Sequence, residues 1–176
     1  MLAEADLQAF RALARAEVPV IGPLLRPLSR TADHGLLWFG TAAALAALDG
    51  PRGRRAAVRG TASLVASSAL ANLVGKAATR RARPPLDGFP ATRLIRKMPF
   101  TSAMPSGHAA SAFGFATGAS LEAPALALPL GAVATLVAFS RVYIGAHYPS
   151  DVLAGAATGV AVGLAGRRVA LPAALR

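Results

Sequence analysis

Residues 105–151 read PSGHAASAFGFATGASLEAPALALPLGAVATLVAFSRVYIGAHYPSD. Two apolar runs, Ala109 to Leu121 and Pro124 to Ser140, are separated only by a tight turn at Glu122. Polar clusters close both outer ends: Pro105-Ser106-Gly107-His108 before the first run, Ser140-Arg141, His147 and Asp151 after the second. A further apolar run, Val152 to Gly166, follows, and two more, Gly35 to Leu48 and Ala56 to Gly75, come before. A perpendicular membrane crossing takes about 20 apolar residues, so several of these runs need their flanks to span. Five of them in 176 residues leave little material for a soluble core. The fold class expected is all-α: an integral-membrane helical bundle of about five transmembrane helices. If the five alternate in direction, the long polar loop from Arg80 to Pro105 and the short turn from Gly145 to Ser150 lie on one side, and their residues can meet.

Composition agrees with this. The chain is 54% apolar, with a mean hydropathy of +0.47. Much of the apolar content is Ala and Gly, which let membrane helices approach closely. The length suits a single domain, 1–176, and the lack of cysteine excludes disulfides and thiolate-ligated metals. The first thirty-odd residues differ. Leu2, Leu7, Phe10, Leu13 and Ala14 share one helical face, and Pro19, Pro23 and Pro27 then interrupt the chain. Residues 1–33 are therefore expected to form an amphipathic helix on the membrane surface, followed by a broken segment, with the bundle in 34–176; a degenerate sixth span is the alternative. No cleavable signal peptide is expected, because the acids come early and the arginines are spread through the pattern.

The net charge is +11, carried by 17 Arg and two Lys against eight acids. Such a chain could meet nucleic acid, an anionic membrane or a phosphorylated substrate. The arginines flank apolar runs and form no aromatic-interleaved patch, which argues against nucleic acid. The long loop carries Arg80, Arg81, Arg83, Arg93, Arg96 and Lys97. It suits a diphosphate or sugar-phosphate head group, or simply anionic lipid heads.

Lys76 and Arg141 each stand near the end of an apolar run, and Arg83 is restrained by Pro84. Three cations on one side call for an anion, and phosphate suits the fork of Arg and the point charge of Lys. Snorkelling at the interface is the plainer alternative. Ser106 is a favoured N-cap, Gly107 permits close backbone approach, and His108 would stand beside a phosphate held by the free N–H groups of that helix start. An ordinary capped helix with an interfacial His has the same sequence. In His147-Tyr148-Pro149-Ser150-Asp151, proline and Asp suit a first helical turn. Asp151 can fold back to fix the His147 tautomer and free the other nitrogen for attack, though a helix cap with an incidental His reads alike. Two His and an Asp could also bind a metal. The surrounding cations disfavour one, so neither metal nor cofactor is expected. His34 has no motif around it and reads as interfacial.

Lys76-(six)-Arg83-Pro84, Pro105-Ser106-Gly107-His108 and Ser140-Arg141-(five)-His147-(three)-Asp151 resemble, in order and spacing, the three signature motifs of the type-2 phosphatidic acid phosphatase superfamily. That superfamily holds lipid phosphate phosphatases, undecaprenyl diphosphate phosphatases, glucose-6-phosphatases and vanadium haloperoxidases. The resemblance implies a metal-independent phosphatase acting on a lipid phosphate or diphosphate through a phosphohistidine. His147 would be the nucleophile, Asp151 its orienting carboxylate and His108 the acid for the leaving group. Lys76, Arg83, Ser106, Gly107 and Arg141 would bind the phosphoryl oxygens. The motifs span under half the chain, and many membrane members carry six spans, so a trimmed fold is expected here. A polyprenyl phosphate or diphosphate, phosphatidic acid and phosphatidylglycerol phosphate are candidate substrates. The small, Arg-rich style also resembles actinobacterial enzymes for decaprenylphosphoryl-phosphoribose. A vanadate-dependent haloperoxidase and a non-catalytic lipid-binding protein are the alternatives of other classes. The partners expected are the membrane and the lipid phosphate; homo-oligomerisation is left open. The count of Lys and Arg on the two sides does not decide orientation; family precedent implies a multi-pass protein of the plasma membrane with an extracytoplasmic site.

Overall fold

The computed structural model describes residues 2–16, 18–87, 89–90, 93, 101–169 and 171. The described residues form helices and connecting segments. In chain order the helices are α1 (Leu2–Arg15), α2 (Gly22–Thr31), α3 (Leu36–Leu48), α4 (Gly50–Ala69), α5 (Lys76–Thr79), α6 (Gly107–Glu122), α7 (Ala127–Tyr143) and α8 (Pro149–Ala165). A π-helical stretch, Leu70–Gly75, joins α4 to α5 without a break and ends immediately before Lys76. Such stretches recur at functional sites.

Helix α6 is the central rod, with α4 and α8 packed along it and α7 beside it. Its inward residues are small: Ala109, Ala110, Ala112, Gly114, Ala116 and Ala119 are buried. Small residues permit the close approach. A Cβ placed on Gly159 of α8 would lie 2.6 Å from the backbone nitrogen of Gly114. One aromatic pair, Trp38 of α3 and Phe115 of α6, fills the wider part of the core with ring centroids 5.2 Å apart. Overpacking of such a contact costs about 1–3 kcal/mol. Gly159→Val is therefore expected to lower the melting temperature in detergent, and an unchanged temperature would contradict this packing account.

The outward faces are apolar. Val58 and Val65 on α4, Leu73 on the π stretch, Leu128 and Leu136 on α7, and Leu153 and Leu164 on α8 are all exposed. An apolar exterior over a core rich in Ala, Gly and Ser departs from the pattern of a soluble domain. By length and composition, one helix among the described residues is long and apolar enough to cross a membrane. It is Pro124–Tyr143, 20 residues of mean hydropathy 1.8. Helices α3, α6 and α8 are shorter, with 13, 16 and 17 residues.

At one end of the bundle Arg55 and Arg59 of α4 pair with Glu122 of α6 at 3.3 and 2.6 Å, and Arg59 also donates to the Gly166 carbonyl beyond α8. The starts of α6 and α8 and the ends of α5 and α7 therefore gather at the other end, where the three motifs lie.

Two expectations for the N-terminal segment need correction. The proline-bearing stretch is broken only around Pro19, in the turn before α2; residues 22–31 form α2, with Pro23 in the first turn and Pro27 inside. Pro23 is tolerated where the N–H would be unpaired anyway. The apolar face of α1 meets the protein rather than lipid. Phe10 is buried, stacked on Phe89 at 5.7 Å and edge-on to Tyr148 at 5.8 Å, with Leu7 and Leu13 beside it. The outward residues Glu4, Gln8, Arg11 and Arg15 are polar or charged and exposed. Helix α1 thus covers the motif-bearing end of the bundle.

Candidate active site

A cavity of about 580 Å³ opens at this end. Lys76, Arg83, Arg141, Gly107, His108 and His147 line it, so six of the eight residues singled out in the sequence share one wall. The cations are held rather than loose. Lys76 Nζ donates to Thr101 Oγ1 at 3.2 Å, and Arg83 Nη1 donates to the Ala146 carbonyl at 2.7 Å. Arg141, 4% exposed, donates to the Ser29 hydroxyl of α2 at 2.5 Å. Fixed cationic donors around one cavity form a site for an anion such as phosphate.

His147 lies in the turn between α7 and α8 and is 3% exposed. Its backbone N–H is tied to the Arg141 carbonyl at 3.2 Å. Asp151, one turn on and fully buried, brings Oδ2 to 3.7 Å from His147 Nδ1. That is ion-pair range, longer than a hydrogen bond, and catalytic contacts of this kind often shorten only around substrate. Burial pulls the His147 pKa well below its usual value, against the raising pull of Asp151. Burial thus favours the neutral imidazole, with Nδ1 towards the carboxylate. Asp151 itself is fully engaged: Oδ2 accepts the Tyr148 N–H at 2.8 Å, and Oδ1 accepts from Arg81 Nη1 at 2.7 Å.

His108 stands in the first turn of α6. Its Nε2 lies 2.8 Å from Oδ1 of Asp33, the residue that opens the short turn before α3. The same oxygen is 3.9 Å from Arg141 Nη1. The His108 hydrogen bond, with the Arg141 charge nearby, holds Asp33 below the ordinary carboxylate range despite some burial, while burial pushes the pKa of His108 itself down. Asp33 thereby couples a candidate acid to a candidate phosphate ligand.

Ser106 is fully buried and does not line the cavity. Its hydroxyl caps α6 by accepting the Ala109 N–H at 3.4 Å, and its own N–H donates to the Asp151 carbonyl at 2.9 Å. It joins the starts of α6 and α8. His34, read as interfacial, sits with positive φ and lines the cavity with Gly35 and Phe39. Arg93 donates to the Ala14 and Ala16 carbonyls at 2.8 and 3.1 Å and lies over the Tyr143 ring. It anchors the loop to the end of α1. Arg96 and Lys97, the other loop cations given a head-group role, fall outside the described residues. Sequence reading missed Asp33, Ser29, Thr101 and the bridging role of Arg81.

Comparison with known proteins agrees with the motif assignment. The chain is 37% identical over 139 residues to decaprenylphosphoryl-5-phosphoribose phosphatase of Mycobacterium tuberculosis, covering 78% of this chain and 74% of that one. It is 38% identical over 102 residues to lipid A 1-phosphatase of Rhizobium etli, covering 55% and 43%. In fold it is similar to the crystal structure of the PAP2-type phosphatidylglycerolphosphate phosphatase from Bacillus subtilis, a transmembrane protein. The TM-score is 0.70 at 19% identity, over 94% of this chain and 84% of that one. The PAP2 superfamily profile matches residues 57–172, more than half of the sequence and all of the cavity-lining motifs, and the chain belongs to the PAP2 superfamily.

Proposed function

We propose that this membrane phosphatase cleaves the phosphomonoester of a polyprenyl-linked sugar phosphate, with decaprenylphosphoryl-phosphoribose the lead candidate. The carrying observation is the two-part lining of one cavity. Lys76, Arg83, Arg141 and both motif histidines line it together with the apolar Phe39, Leu64, Val65 and Leu73. A phosphate on an amphiphile fits both parts. The relative of that name, alike over most of its length, supports the choice of head group. Phosphate release by the purified protein from decaprenylphosphoryl-phosphoribose, undecaprenyl diphosphate, phosphatidylglycerol phosphate and phosphatidic acid tests it. A clear preference for the first supports the proposal; equal rates on all four, or preference for another, overturn it.

In this reading His147 Nε2 attacks phosphorus in line with the ester oxygen, and Asp151 stabilises the charge that develops on the ring. His108, held by Asp33, protonates the leaving oxygen and then takes a proton from the hydrolytic water. Lys76, Arg83, Arg141 and the Gly107 backbone hold the phosphoryl oxygens, which is most of what phosphoryl transfer requires. Ser106 serves by fixing the start of α6. The cations supply the charge stabilisation a metal would otherwise give. Turnover is therefore expected to survive EDTA at its full rate, and a strict divalent requirement, restored by adding the metal back, would contradict this.

The chain works as one membrane domain, with five crossings of the plasma membrane and the site at the extracytoplasmic surface. The exposed apolar residues of α4, α7 and α8 support the crossings, and family precedent supports the side. The sequence has no cysteine, so Arg80→Cys gives a single thiol at the site end. Labelling of intact cells by an impermeant maleimide is the expected result. Labelling only after lysis places the site inside.

A further inference from the structure

Arg81 lies outside the matched motif positions, yet it is the residue that touches Asp151 most closely. Its Nη1 donates to Asp151 Oδ1 at 2.7 Å and to the Ser150 hydroxyl at 2.6 Å. Its Nη2 donates to Asp6 Oδ2 at 2.5 Å, and its guanidinium lies 4.3 Å over the Tyr148 ring. Asp6 comes from α1, and its side chain is 9% exposed. It also accepts the Ser150 N–H at 3.0 Å and the Ser150 hydroxyl at 2.6 Å. One guanidinium is thus shared between two carboxylates, one of them the partner of His147.

We propose that Asp6 and Arg81 are a positioning pair for the reaction. Arg81 fixes the Asp151 carboxylate, and Asp6 sets how much of the Asp151 charge remains for His147. The proposal rests on the reading of His147 as nucleophile. With Oδ1 held by Arg81, Oδ2 stays directed at Tyr148 N–H and His147 Nδ1. With Asp6 drawing on the other side of the guanidinium, Asp151 is only partly neutralised. Burial alone would lower the Arg81 pKa, but its bonds to Asp6 and Asp151 outweigh burial and raise it, so its charge is constant over the working range. The pair also gives α1 a use beyond covering the bundle end, since docking of α1 brings Asp6 to the motif turn.

The two members act with opposite sign. Without the Asp6 charge, all of Arg81 falls on Asp151, and a protonated His147 loses support. Without Arg81, Asp151 and Asp6 support it more. The other charged or titratable groups facing His147 are Asp151 on α8, Arg141 on α7 and Arg83 on the loop. Lys76 and His108 share the cavity wall, and Asp33 stands behind His108. These form a constant background when Asp6 and Arg81 are varied.

The test compares Asp6→Asn, Arg81→Gln and the double variant with the wild type, changes that remove charge and keep a hydrogen-bonding group. Two readouts are taken: the acidic limb of kcat/KM on decaprenylphosphoryl-phosphoribose, and the titration of His147 by nitrogen-15 NMR in detergent. With three histidines in the chain, His147 is assigned from the signal lost in His147→Ala. Asp6→Asn is expected to move the midpoint down by about half a pH unit and Arg81→Gln to move it up by about as much, with the double variant near the wild type. Shifts of one sign, or no shift alongside a lower melting temperature, would reduce the pair to a structural clasp and overturn the proposal. A wild type without turnover would sink the phosphatase reading instead, and the NMR titration would still judge the pair.

Discussion

His147→Ala is expected to lower kcat on the preferred lipid by about 10⁴–10⁶-fold, to the background of solution hydrolysis, while the protein still folds and extracts normally. The size follows from losing the nucleophile, which leaves the cationic cradle with nothing to deliver to phosphorus. The site is built so that no neighbour can substitute. His108 is engaged by Asp33 at 2.8 Å, and Asp151 is occupied by Arg81 and Tyr148. Binding should survive, because Lys76, Arg83 and Arg141 remain; the inactive variant is expected to retain lipid with little change in affinity. Phosphate release by His147→Ala at a rate near the wild type would contradict the assignment.

The second large effect belongs to His108. His108→Ala is expected to reduce kcat on the lipid by about 10²–10⁴-fold, the usual worth of a positioned general acid. The loss should depend on the leaving group. An alkyl or sugar alkoxide needs a proton as the bond breaks, whereas a nitrophenolate does not. With a nitrophenyl phosphate ester the variant should lose much less in the step that forms the phosphohistidine, measured as the burst of nitrophenolate. An equal loss on both substrates would assign His108 to phosphate binding. Asp33→Asn should behave as a weaker version of His108→Ala, because the asparagine keeps a hydrogen-bond acceptor and loses the charge.

The helical class, the motif residues and their gathering at one end were legible in the sequence for a simple reason. Apolar runs alternating with polar turns allow few arrangements, and the spacing of Lys76, Arg83, His108, Arg141, His147 and Asp151 is itself the signal. The supporting residues were less legible because their partners are remote in the chain. Asp33 reaches His108 across 75 positions, and Asp6 reaches Ser150 across 144. Asp6 did leave a trace: it lies four residues before Phe10, on the otherwise apolar face of α1, where a charge is out of place unless paired. The amphipathic pattern of α1 was read correctly as a helix, but period alone does not say whether its apolar face meets lipid or protein. Phe89 and Tyr148, which cover Phe10, decide that. Pro27 inside α2 misled for a similar reason. Local propensity argued for a break, and packing of α2 on α7 overrode it.

The covalent step is the central claim. Wild-type protein would be mixed with lipid substrate carrying labelled phosphorus, quenched in alkali within milliseconds to seconds, and digested for peptide mapping. Label on the peptide carrying His147, stable in alkali, lost in acid and absent from His147→Ala, is the result predicted. Turnover with no labelled protein at any time, or label on a different residue, would contradict it.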